Sequence, residues 1–109
     1  MKLFTKQIKE NTPAIMAMDG LPADQVKIAF KLFTPDGAAT WYITEANFET
    51  GEAFGLCDLG FGSPELGYVD LNELQAVRGA FGMKVERDLH YDGTLADAML
   101  SLSMARATA

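Results

Sequence analysis

Hydrophobic and polar residues alternate through the middle of the chain, where the pattern predicts a sheet. Within residues 26–32 every second residue is apolar, and Lys27 and Lys31 have the opposite parity. This segment is therefore expected to be a half-buried strand with a lysine-bearing outer face. Residues 34–37 follow as a turn, because their proline presets φ and their glycine accepts positive φ. Further strands are predicted over residues 39–46, 53–59, 65–69 and 83–91, the first completing a hairpin.

Capping residues predict three helices. Thr5 can cap a short N-terminal helix, which an Asn-Thr-Pro sequence then ends. Asp70 and Glu73 have capping-box spacing, in which the aspartate accepts from the Glu73 amide, and a glycine six residues later is placed to close that helix. Thr94 and Asp97 repeat the spacing before a C-terminal helix. The apolar positions of the three helices are Leu3, Phe4 and Ile8, then Leu71, Leu74 and Val77, then Leu95, Met99 and Leu102.

The order of these elements indicates an α+β fold. We expect a mainly antiparallel sheet of about five strands, with N-terminal, penultimate and C-terminal helices on one face. The 109 residues are enough for a single compact domain over 1–109, whose tail from about residue 104 is expected to be flexible.

Composition excludes several classes of protein. One cysteine and one histidine cannot form an intramolecular disulfide or the common tetrahedral Cys/His metal sites. No metal ligand and no cofactor is predicted. Since no stretch approaches the roughly 18 apolar residues of a membrane span, and the start lacks the apolar core of a signal peptide, we expect a cytoplasmic protein without membrane contact.

The net charge of −6 comes from the middle of the chain. Residues 35–75 contain eight acids and no lysine or arginine, while residues 1–34 are mildly basic and residues 76–109 are balanced. Such a stretch can form a negative face that binds a basic partner surface; the alternative is that the acids lie in turns and strand ends and serve solubility. Aromatic residues lie in the same stretch, and they belong either to the core or to a binding patch. The binding residues predicted from this stretch are Glu45, Glu49, Glu52, Trp41, Tyr42 and Phe61.

A collinear series of motifs resembles a known family. The series is KLFTPDG (31–37), TWYITE (40–45), FGL (54–56), ELGYV with LNEL (65–74) and VERDL (85–89). It is similar to the bacterial family called domain of unknown function 2958, which is often encoded on plasmids and other mobile elements. The resemblance runs from about residue 3 to residue 91. It implies a small cytosolic accessory protein and assigns no activity or catalytic residue.

Glu86, Asp88 and His90 form the most distinctive polar row. At alternate positions of a predicted strand they project from one face over about 13 Å, where a general base or metal-bound water could be held. The alternative is an ordinary solvated strand face. Arg87 has the opposite parity and is expected to point toward the core. Arg87 must therefore pair with a buried acid such as Glu65, Glu73 or Glu45, extend to an edge of the sheet, or contact an anion in a groove.

Cys57 lies within an apolar predicted strand. We expect a buried, inert thiol there rather than a nucleophile paired with His90.

Three functional hypotheses follow. The leading one is a non-enzymatic accessory factor of a bacterial mobile element that binds a basic protein surface through its acidic middle. The second is a small metal- or anion-binding enzyme that uses the Glu86, Asp88 and His90 face with Arg87. The third, not favoured by the bulk charge, is nucleic-acid binding through Lys27, Lys31 and the N-terminal lysines.

Overall fold

The structure, a computed structural model, describes residues 2–108, and of their side chains those of residues 2–103. Its strands are β1 (Phe30–Phe33), β2 (Thr40–Ala46), β3 (Glu52–Asp58), β4 (Glu65–Asp70) and β5 (Glu86–Arg87). Its helices are α1 (Lys6–Asn11), α2 (Leu71–Ala76) and α3 (Leu95–Thr108), with a short 3-10 turn at Ala23–Gln25. The strands form one antiparallel sheet in the order β4-β3-β2-β1-β5. The predicted α+β class and element order are confirmed.

Helices cover both faces of the sheet, so the expectation that they lie on one face is wrong. The reason lies in β2, where Trp41 and Ile43 pack on one face and Tyr42 packs on the other, all of them buried. A strand that is buried on both sides needs cover on both faces. We name the two faces after the helices that cover them. The α2-face core contains Phe30, Leu32, Trp41, Ile43, Leu71 and Leu74, with α1 packed against it, and the α3-face core contains Val26, Ile28, Tyr42, Leu56, Leu95 and Ala98.

The predicted first strand is divided between these two faces. Its four alternate apolar residues are buried as expected, but only the last part of the segment belongs to β1. Ile28 donates its amide to the carbonyl of Gly93 (2.9 Å), and Leu95 donates to the carbonyl of Val26 (2.7 Å). Residues 26–28 therefore pair with the chain that enters α3, and they pack on the α3 face before the chain crosses into the sheet.

β5 is shorter than predicted and pairs only with the last two residues of β1. Val85 is buried, as its parity requires, but Leu89 is exposed. The chain leaves the sheet after β5 because the Asp88 carboxylate accepts a hydrogen bond from the amide of His90 (2.9 Å), which forms a turn.

The helix caps largely follow the sequence. The predicted cap before α1 is confirmed, and so is the reciprocal box before α3, where the two hydrogen bonds between Thr94 and Asp97 measure 2.8 and 3.2 Å. Before α2, Asp70 accepts from the amide of Asn72 (2.8 Å) rather than from that of Glu73. α2 also ends three residues before the predicted glycine. The expected flexibility from about residue 104 concerns side chains outside the described residues. No helix within residues 2–108 is long and apolar enough to cross a membrane.

Candidate functional site: an acidic cleft at the open sheet edge

The eight acids of residues 35–75 divide into an exposed set and a set engaged in the fold. The exposed acids are Glu49, Glu52, Glu65, Asp70 and Glu73. Glu45, by contrast, is only 7% exposed, and its Oε2 accepts a hydrogen bond from the backbone amide of Met16. Because Met16 has a φ of 73°, this carboxylate stabilises a turn that a non-glycine residue rarely adopts. Glu45 thus holds the loop before β1 and is not part of the accessible acidic surface.

The end of β4 forms one wall of an open cleft of about 690 Å³. Three elements meet there: the turn between β2 and β3, the end of β4, and the first turn of α2. The lining residues are Asn47, Thr50, Glu52, Tyr68, Val69, Asp70, Glu73 and Leu74. Every one of them belongs to the stretch without a lysine or arginine, so among the side chains of residues 2–103 three carboxylates and no cation line the cleft. We call it the acidic cleft.

Local sequence explains the shape of this cleft. The side chain of Asn47 accepts from the amides of Glu49 (2.9 Å) and Thr50 (3.2 Å), which closes the turn between β2 and β3. Gly51 then has a φ of 87°, a conformation that glycine adopts without strain. On the other side, Asp70 is the N-cap of α2, so its carboxylate is fixed at the rim.

The charge of the acidic cleft is not compensated within the described side chains. The ion pairs among residues 2–103 are Lys6–Glu10, Lys27–Asp92 and Lys31–Asp88, and none involves a cleft residue. Tyr68 is 62% exposed at the rim and rests against Phe54, with the ring centroids 5.0 Å apart. Carboxylates beside an exposed aromatic ring are suited to lysine and arginine side chains, which form charge-assisted hydrogen bonds and cation–π contacts.

The predicted aromatic binding residues are placed differently from one another. Trp41 and Tyr42 are each 5% exposed and pack in the two cores. Phe61 is 86% exposed in the connection between β3 and β4. Glu49 lies in the turn beside the acidic cleft, and Glu52 lines it.

Tyr68, Asp70 and Glu73 were not among the residues predicted to bind a partner. They line the acidic cleft because β4 lies at the end of the sheet and α2 follows it directly. Local patterns identify β4 as a strand but do not say that it is an edge strand, because strand order depends on the whole topology.

The row of Glu86, Asp88 and His90 does not converge on a site. β5 ends at Arg87, so the alternation that would align the three side chains stops there. Asp88 is engaged with the His90 amide and with Lys31, whose Nζ lies 3.7 Å from Oδ2. In the part of the chain that the structure describes, no three His, Cys, Asp or Glu side chains are grouped so as to hold a metal ion.

Arg87 points toward the α2 face, as its parity predicted, but its partner is not a carboxylate. It pairs with Leu32 of β1, and its Nη1 donates to the backbone carbonyls of Lys2 (3.3 Å) and Leu3. The expectation that Arg87 forms an ion pair with Glu65, Glu73 or Glu45 is therefore wrong. The N-terminal segment passes this edge of the sheet and supplies carbonyl oxygens nearer than any of those acids.

The lysines of the predicted first strand are both balanced by carboxylates. Lys27 lies 3.6 Å from Asp92, and Lys31 pairs with Asp88 while lying over the rings of Tyr42 (5.4 Å) and Tyr91 (5.1 Å). Desolvation by burial is the main cause that raises the pKa of both tyrosines above the ordinary value of 10.0. This segment therefore presents less positive surface than the sequence suggested.

Cys57 is half-buried in β3, and burial raises the pKa of its thiol. Two strands separate β3 from β5, a distance of about 14 Å at the usual strand spacing. His90 follows β5, so a thiol–imidazole pair with Cys57 is not formed.

The comparison with known families agrees with the motif series. The model of a family described as protein of unknown function (DUF2958) matches residues 3–108. The chain belongs to this family. No curated protein and no solved structure matches the chain. Membership in DUF2958 extends over nearly the whole chain, including the acidic cleft and both edges of the sheet.

Proposed function

We propose that this DUF2958 protein is a non-enzymatic interaction module that binds a basic surface of a partner protein through the acidic cleft. The observation that carries the proposal is the convergence of Glu52, Asp70 and Glu73 on one open cleft with no cation among its lining residues. A role as a cytoplasmic accessory factor of a bacterial mobile element forms part of the proposal and rests on the resemblance to plasmid-encoded proteins.

Physical arguments favour a basic protein as the occupant. Several carboxylates in a concave site attract cations more strongly than single surface charges, because their fields add. That attraction acts within about 10 Å at 0.1 M salt, so it serves encounter and orientation at close range. The exposed ring of Tyr68 adds an apolar contact of the kind found at protein interfaces.

The test is the binding of a fluorescein-labelled octalysine peptide, with octaglutamate as the negative control. In the double variant Glu52→Lys/Glu73→Lys we expect binding to weaken at least about tenfold, or about 1.4 kcal/mol, since attraction becomes repulsion. Asp70 is left unchanged because it caps α2. The matched control is Asp19→Lys/Asp24→Lys, which makes the same change in net charge at exposed positions outside the cleft.

Three results would contradict the proposal. The first is equal weakening in the cleft and control variants, which would show that affinity follows net charge alone. The second is affinity for octalysine that does not fall as salt is added. The third is the absence of any octalysine binding by the unchanged protein.

A further inference from the structure

The outer side of β4 exposes unpaired backbone groups. β4 pairs with β3 along its whole length without a register shift, and just beyond it Leu71 donates its amide to the carbonyl of Gly51 (2.8 Å). Hydrogen-bonded and non-bonded pairs alternate along an antiparallel ladder. The residues of β4 that bond to β3 are therefore Glu65, Gly67 and Val69. The amides and carbonyls of Leu66 and Tyr68 face away from the sheet.

β4 lacks most of the devices that usually protect a sheet edge and carries only a carboxylate at each end. The strand is six residues long and contains no lysine, no proline and no bulge. No strand or turn within residues 2–103 pairs with its outer side. An edge of this kind is a template for a further strand.

The side chains of the edge offer an apolar surface beside the acidic cleft. Leu66 and Tyr68 project on the α3 face, opposite Leu56 and Phe54, and are 47% and 62% exposed. Next to them lies a groove of about 310 Å³. Its lining residues are Leu56, Pro64, Leu66, Met99, Leu102 and Ser103. A strand added to β4 would place alternate side chains against this apolar surface.

Charge decides which chain can occupy this edge. Glu65 begins β4, Asp70 ends it, and the acidic cleft lies at the Asp70 end. A second copy would set two such acid-only edges against each other, and repulsion would oppose the pairing. A segment with lysine or arginine near its ends and apolar residues between them would complement both the ends and the middle of β4.

We infer that the partner contributes an extended basic segment that adds to β4 as a sixth strand of the sheet. The inference rests on the proposed function and specifies how that site is occupied. Backbone hydrogen bonds to Leu66 and Tyr68 hold the segment, apolar side chains rest on the α3 face, and a basic side chain enters the acidic cleft.

The experiment uses a labelled peptide with lysines at both ends and alternating valine and threonine between them. Tyr68→Pro removes an outward amide and leaves every bond between β3 and β4 intact, as proline at a sheet edge can. Tyr68→Ala is the matched control, because it removes the same ring and keeps the amide. We expect Tyr68→Pro to bind the peptide at least about tenfold more weakly than Tyr68→Ala. On the unchanged protein, peptide binding should slow hydrogen exchange at the Leu66 and Tyr68 amides.

A second probe needs no change to the protein. The same peptide N-methylated at every internal amide keeps its charge and side chains but cannot donate hydrogen bonds from either edge, so its binding should be lost. Equal affinities for the methylated and unmethylated peptides, or for Tyr68→Pro and Tyr68→Ala, overturn strand addition. If Glu52→Lys/Glu73→Lys still weakens binding in that case, the proposed function stands without it. A dimer of the unchanged chain that Tyr68→Pro dissociates would show a second copy at the edge and overturn the basic partner.

Discussion

The two edges of the sheet are built in opposite ways. At the β5 edge the pairing is two residues long, and the N-terminal segment receives hydrogen bonds from the Arg87 side chain. At the β4 edge the outward backbone groups of Leu66 and Tyr68 have no partner within residues 2–103, and the strand has a carboxylate at each end. The difference indicates that the β5 edge serves stability and that the β4 edge is available to a partner.

Asp36 belongs to the acidic stretch of residues 35–75, but it stabilises the β5 edge. Its Oδ2 accepts from the amides of Phe81 (2.7 Å) and Met83 (3.2 Å), more than forty residues away along the chain. Those bonds hold the turn that precedes β5, and Gly79 lies directly against the carboxylate. Here an acid stabilises a loop by satisfying backbone amides, as Asp70 does at the start of α2, whereas Glu52 and Glu73 are exposed along the acidic cleft.

The largest contrast between the edges is expected from one pair of glycine substitutions. In Gly79→Ala the new Cβ would collide with the Asp36 carboxylate, so the turn must shift and its two hydrogen bonds weaken. We expect a loss of about 2 kcal/mol in the free energy of unfolding, measured by urea denaturation. Gly67→Ala in β4 is the control, because its Cβ meets open space; it should be neutral or slightly stabilising. Similar losses of stability in both variants would show that the turn before β5 is no more sensitive to an added Cβ than β4 is.

The contact of Arg87 with the N-terminal segment provides a second test of the β5 edge. The substitution Arg87→Ala removes the hydrogen-bond donors to the Lys2 and Leu3 carbonyls, together with the packing of the arginine methylene chain. The expected loss is about 1 kcal/mol, with faster hydrogen exchange in α1, and Arg87→Lys should recover part of it. The exposed Lys84 provides the control Lys84→Ala, expected to stay within about 0.5 kcal/mol. Unchanged exchange in α1 would mean that the N-terminal segment is held without Arg87.

Local patterns predicted the elements well and their assembly less well. The turn before β2 and the box of Thr94 and Asp97 depend on neighbouring residues, so the sequence alone identifies them. The change of face after Ile28 could not be predicted, because it follows from pairing with residues far along the chain. Strand order, which makes β4 an edge, depends on non-local pairing in the same way.

Residues of the acidic stretch line the candidate site, but the sequence did not separate its exposed acids from those engaged in the fold. Between Ile43 and Glu45 the register with β3 shifts, so the simple alternation of β2 does not predict where Glu45 points. By simple alternation Glu45 would follow Trp41 and Ile43 into the α2-face core. Past the shift it lies opposite Phe54 instead, and its carboxylate accepts from the amide of Met16. By contrast, exposed acids next to turns, such as Glu49 and Glu52, were placed correctly at the surface by their local sequence.

The smallest expected effect on stability concerns Tyr42 and appears only at alkaline pH. Burial first, and then the neighbouring Tyr91, raise the pKa of Tyr42 above 10.0. A phenol with a raised folded-state pKa contributes stability that is fully present below about pH 10 and is lost as the pH rises through the folded-state value. Tyr42→Phe cannot ionise, so the difference in unfolding free energy between the unchanged protein and this variant should be constant from about pH 7 to 9 and then shift in favour of the variant. Urea denaturation across this range measures the difference; parallel curves up to about pH 11 would show that Tyr42 titrates alike in the folded and unfolded chains.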